Sequence, residues 1–121
     1  MNPISLLFRF LPMVFGNTVA LYIATQNIPG FVVEQSLQTL IIAGGILTFI
    51  NMFIKPVIRF FFTPFIFLTL GLGLIVVNAI TLVILDYLTP TVTITGLLPL
   101  FEAAILISVV NMVIGLLGDI I

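Results

Sequence analysis

The chain has 121 residues, 62% of them hydrophobic and only 6% charged, with three basic and four acidic side chains and a net charge of −1. Soluble domains carry roughly 25% charged residues, so there is too little polar surface here for a water-soluble fold, and the long apolar runs assign the chain to a membrane. The weak charge leaves no basic patch for a nucleic-acid backbone, and the absence of His and Cys removes imidazole and thiol chemistry, disulfides and the usual soft metal ligands.

The first expected span runs from about Ile4 to Thr25, with Pro12 inside it. About 22 residues at 1.5 Å each make roughly 33 Å, enough for a hydrocarbon core near 30 Å. Arg9 ahead of the apolar run Phe10–Ala24 looks like a signal peptide at first sight. The run is long, Asn17 interrupts it and no Ala-x-Ala pair follows, so a retained span is expected. Asn27–Ser36 reads NIPGFVVEQS, a loop with a Pro29-Gly30 turn signal, polar Glu34 and Gln35, and Ser36 as an N-cap.

The second span is expected over about Leu37–Ile54, where Gly44-Gly45 allows another helix backbone to approach. Lys55–Phe62 then reads as a hinge, because Pro56 disfavours helix at Lys55. Thr63-Pro64 looks like an N-cap and first helical position. On this reading VIRFFF is an interfacial linker whose Arg59 snorkels to headgroups. A continuous, kinked helix through the same residues is the rival, and local pattern leaves both open.

The third span is expected over about Pro64–Leu85, with Gly71 and Gly73 as close-packing positions, Asn78 as its buried polar residue and Asp86-Tyr87 at its end. Thr89–Thr95 (TPTVTIT) is β-branched and interrupted by proline, and reads as an extended loop lying on the protein. Thr95 is the expected cap of a fourth span, about Gly96–Leu117, with Pro99 tolerated in the first turn. Asp119 is expected in water.

The halves resemble each other at an offset of 60 to 61 residues: Asn17 falls on Asn78, Pro29 on Pro90, Leu37 on Leu98 and Ala43 on Ala104, and, with one residue removed, Asn51-Met52 falls on Asn111-Met112. The expected fold is therefore an all-α integral membrane domain over residues 1–121. Its four transmembrane helices form two parallel-repeated hairpins, with units at about 4–54 and 64–117 and a basic hinge at 55–63. With four spans, Arg9, Lys55 and Arg59 share one side as membrane-interface anchors. The positive-inside rule puts that side, with both termini, in the cytoplasm.

The candidate functional or packing residues are Asn17, Asn51, Asn78 and Asn111, whose amides need partners in hydrocarbon, and Glu102, the only carboxylate well inside a span. The asparagines either lock helix register or line a polar path. Glu102 either reaches the outer interface, joins a proton or solute path, or pairs across an oligomer. The Lys55-Pro56-x-x-Arg59 cluster anchors the chain at anionic headgroups. Ser5, Ser36 and Ser108 lack a histidine and the carboxylates are scattered, so no catalytic set, cofactor site or metal site is expected. The expected partners are membrane lipids and further copies of the chain, without nucleic acid or a soluble substrate.

The stretch NMFIKPVIRFFFTPFIFLTLGLGLIVVNAITL resembles the central block of the holin-like superfamily IV, small bacterial four-span proteins. The matching elements are Asn51, Ile54, Lys55, Pro56, Pro64, Thr69-Leu70-Gly71 and Asn78-Ala79, together with the Pro29-Gly30-Phe31-x-Val33 loop. Two departures are Pro90-Thr91-Val92, where the family repeats a Pro-Gly-Phe pattern, and Glu34, where Asp is frequent. The resemblance covers residues 10 to 118 and transfers no catalytic residue. It implies a non-enzymatic inner-membrane protein whose oligomers alter membrane permeability. Two alternatives remain: a structural or envelope-stress protein without a pore, and a small dimeric transporter or lipid-handling protein.

Overall fold

The computed structural model describes residues 3–34 and 36–120, with the side chains of 6, 7 and 118–120, and so the environment of Asp119, outside that description, as is Gln35 of the first loop. In chain order the elements are α1 (Pro3–Asn27), β1 (Phe31–Val33), α2 (Leu37–Phe49), a π-helical turn (Ile50–Ile54), α3 (Lys55–Leu68), α4 (Gly73–Leu88), β2 (Val92–Ile94) and α5 (Leu97–Ile120). Two helix–strand–helix units thus stand on either side of α3. Helix α1 packs on α2 and α5, and α4 packs on α5 and α3.

The strands pair antiparallel, Phe31 with Ile94, Val32 with Thr93 and Val33 with Val92. The ladder is extended by the Glu34 N–H donating to Thr91 O (3.0 Å) and the Thr95 N–H to Gly30 O (2.8 Å). Phe31, Val33 and Val92 point inward and are buried, while Val32 and Thr93 face out, the two-residue period of a sheet with one covered face. Side chains of the preceding helices satisfy the outer edges: the Val33 N–H donates to Thr25 Oγ1 (3.0 Å) and the Ile94 N–H to Asp86 Oδ2 (3.2 Å). Helix α2 starts as expected at the Ser36 cap, whose Oγ accepts from the Thr39 N–H (3.1 Å) in a capping box. Thr95 does not cap α5; it belongs to the ladder, and Gly96 with φ +96° makes the turn into the helix.

Of the two readings of the hinge, the continuous helix holds and the separate linker does not. Residues 55–63 are helical, and Leu37–Leu68 is one uninterrupted helical stretch of 32 residues. The physical reason is the π-helical turn, in which the Lys55 N–H donates to Ile50 O, five residues back. The wider turn relieves the clash of the Pro56 ring with the carbonyl one turn below, so the proline is absorbed instead of ending the helix. Thr63 and Pro64 lie inside α3, where the Thr63 hydroxyl donates to Arg59 O (2.8 Å), so they start no helix.

The chain reverses instead at Thr69–Leu72. The Gly71 N–H donates to Ile66 O (2.9 Å) and the Leu70 N–H to Phe67 O (3.2 Å). This is a Schellman ending with Leu70 (φ 56°) in the left-handed position and Gly71 (φ +94°) after it. Thr69 Oγ1 then accepts from the Gly73 N–H (2.7 Å) and opens α4. The helix expected over Pro64–Leu85 is accordingly Gly73–Leu88, 16 residues, and Gly71 is a turn residue, not a packing one.

The core lies among α1, α2, α4 and α5 beneath the strands, with Leu21, Ala24, Leu47, Leu82, Leu85, Ala103 and Ala104 fully or nearly buried. Gly44 sets the α1–α2 distance: a Cβ there would overlap Thr18 Oγ1 and lie 3.0 Å from Thr18 N. By contrast α3 buries no residue, and Phe60 and Phe61 are each 73% exposed. The outward surface is apolar nearly everywhere. Among the described residues, α1, Leu37–Leu68 and Leu97–Leu117 are long and apolar enough to cross a membrane; α4 is apolar but shorter.

Candidate functional site

The asparagines gather where α1, α2, α4 and α5 meet, away from the strands. Asn17, 1% exposed, donates from Nδ2 to Thr48 Oγ1 (2.8 Å), which donates onward to Gly44 O (2.7 Å). Asn78 Nδ2 donates to Ser108 Oγ, which donates to Ala104 O (2.7 Å). The second chain of bonds repeats the first. Asn78 stands 61 residues after Asn17, and Ser108 and Ala104 stand 60 after Thr48 and Gly44. The helix starts agree, Leu97 being 60 after Leu37. The extra residue of the first half therefore lies in the loop after β1, and Leu37 and Ala43 correspond to Leu97 and Ala103 rather than to Leu98 and Ala104.

The repetition breaks at the next polar position. Asn111 Nδ2 donates to Asn17 Oδ1 (3.2 Å), bridging the halves. Its counterpart Asn51 sits in the π-helical turn, and its Oδ1 is buried without a hydrogen-bond partner. Asn51, Asn78 and Asn111 share the wall of an internal cavity of ≈ 10 Å³. Thr48 and Ser108 escaped the sequence reading, although the signal is present: Thr-x-x-Asn-Met at 48–52 recurs as Ser-x-x-Asn-Met at 108–112, and residues three apart share a helix face.

From this cluster a groove of ≈ 440 Å³ opens on the side away from the strands. Asn17, Asn51 and Asn111 line its inner part, Lys55 and Arg59 one wall, and Pro12, Met13 and Ile114 the apolar remainder. Arg9 is exposed on α1 and takes no part in it. Glu102 is elsewhere: it is exposed on α5, in a shallow groove of ≈ 400 Å³ shared with Asn27 and Ile28 near the strand end. Buried Ala103, Ala104 and Ile107 on its own helix separate it from the asparagines. Among the described residues no group of three His, Cys, Asp or Glu is placed to hold a metal ion.

Apolar helices of membrane-crossing length, an apolar exterior and polar groups gathered inside define a multi-pass membrane protein. A family model described as "Mycobacterial 4 TMS phage holin, superfamily IV" matches residues 8–113, from α1 to α5 and including both strands. The chain belongs to this family. No curated protein and no solved structure matches it.

Proposed function

We propose that this is a non-enzymatic protein of the bacterial cytoplasmic membrane that alters permeability only when several copies associate. Helices α1, α2, α4 and α5 are its four crossings, arranged as two hairpins of the same sense. Helix α3 lies at the cytoplasmic interface, with Lys55 and Arg59 toward headgroups and its phenylalanines toward lipid. That placement accounts for an α4 of about 24 Å, since α3 and the turn at Leu70-Gly71 occupy the remaining depth. Arg9, Lys55 and Arg59 lie toward the end away from the strands, and Glu34 and Asp86 at the strand end, so the termini face the cytoplasm.

One observation carries the functional reading: the polar groove ends blind. Between the asparagines and the strands each helix carries buried apolar residues, namely Leu21 and Ala24 on α1, Leu40 and Leu47 on α2, Leu82 and Leu85 on α4, and Leu100 and Ala104 on α5. A single copy is sealed, and a water path has to form between copies. The competing reading, a structural membrane protein without a pore, draws on the amides of Asn17, Asn78 and Asn111 being satisfied within one chain. Dye-loaded vesicles carrying the purified chain at increasing protein-to-lipid ratio separate the two. Leak rising more steeply than the first power of protein density is expected, and Glu102→Gln is expected to leave it unchanged. Leak proportional to protein from the lowest density would mean a single-copy path. An intact barrier at every density would leave the structural reading.

A further inference from the structure

Lys55 and Arg59 present two positive charges to one groove, and no described carboxylate faces them. Glu34 and Asp86 are held at the strand pair, and Glu102 is on the opposite groove. Four residues apart on a helix, the two cations share a face, where like charges repel. At the boundary of the hydrocarbon core such a pair is costly unless an anion lies between them. Neither head group is engaged by another side chain among the described residues.

We propose that this groove is a binding site for the phosphate of one anionic phospholipid headgroup. The depth is right. From the strand end, Leu37 to Lys55 spans about 27 Å and Leu97 to Ile114 about 26 Å, which reaches the far boundary of a hydrocarbon core near 30 Å. The volume of ≈ 440 Å³ accommodates a headgroup. The lining is two-sided: cations and the Asn51 and Asn111 amides on one part, Met13 and Ile114 on the other. The apolar part favours a lipid, whose glycerol and first methylenes it would cover, over a soluble phosphate ester. The wall at Gly115 is open, with no atom within 4 Å of where a Cβ would stand. This is a bound lipid in a formed groove, distinct from diffuse attraction of basic residues to a surface, and it holds whether or not copies associate.

The test is native mass spectrometry of the full chain in neutral detergent, offered phosphatidylglycerol and phosphatidylcholine with the same acyl chains. The wild type is expected to retain one phosphatidylglycerol in about tenfold preference. K55Q/R59Q removes that preference. G115L removes it too, by filling the groove while leaving every charge in place and improving helix propensity. R59K retains it and, with far-UV circular dichroism, reports that the fold survives; R9Q stays within about twofold of wild type. Absence of preference in the wild type, an R9Q loss equal to that of K55Q/R59Q, or full binding by G115L would each overturn the site. Displacement of the lipid by equimolar glycerol 3-phosphate would overturn the lipid assignment in favour of a soluble phosphate ester.

Discussion

Asn111 and Asn51 occupy the same place in the two halves, yet one is bonded and the other is not. Asn111 lies in a regular α-helix and reaches Asn17. Asn51 lies in the π-helical turn and its oxygen reaches nothing. The difference traces to Pro56, whose counterpart 60 residues on is Leu116. The proline demands a widened turn, and that turn carries Asn51. The cationic wall is likewise confined to the first half, since Lys55 corresponds to Gly115. A duplicated pattern has therefore produced a core that repeats near the strands and a groove that does not repeat at the other end.

The largest loss is expected at the closest helix contact. Gly44→Ala drives a methyl into Thr18, and a loss of about 1–3 kcal/mol is expected in detergent unfolding. Ala104→Gly at the counterpart costs only about 1 kcal/mol, through helix propensity. Equal losses would mean that the α1–α2 contact is no tighter than α4–α5.

Next comes the asparagine pair. Asn17→Leu strands Thr48 and Asn111 together and is expected to lower stability by about 1–2 kcal/mol. Asn51→Leu removes an unpartnered oxygen and is expected to be neutral or slightly stabilising. A loss at Asn51 as large as at Asn17 would show that its amide is engaged. Pro56→Ala is expected to let the helix regularise and bring Asn51 to Asn78. In that background Asn51→Leu then costs about 0.5–1.5 kcal/mol, a coupling read from a double-mutant cycle.

The smallest effects belong to the strand edges. Thr25→Val and Asp86→Ala each remove the acceptor for one strand N–H, at about 1 kcal/mol apiece, the aspartate slightly more because its acceptor is charged. Hydrogen exchange at Val33 and Ile94 checks this, each amide accelerating only in its own variant. Acceleration of both in either variant would show the ladder to open as one unit.

Composition and periodicity alone placed the chain in a membrane, located α1, α5 and the start of α2, and marked the four asparagines, because hydrocarbon tolerates only long apolar helices and makes each buried amide conspicuous. The Ser36 cap, the Pro29-Gly30 turn and the extended, β-branched loop at Thr89–Thr95 were also legible, being written in local side-chain chemistry. Where the chain turns was not. Pro56 looks like a breaker until a π-helical turn absorbs it, and Leu70 gives no warning of a left-handed conformation. The pairing of the loops, the partners of Asn17 and Asn78, the isolation of Asn51 and the seclusion of Glu102 from the polar cluster were decided by tertiary packing. Each depends on which helix faces arrive at the same depth, a quantity that no single stretch of the chain contains.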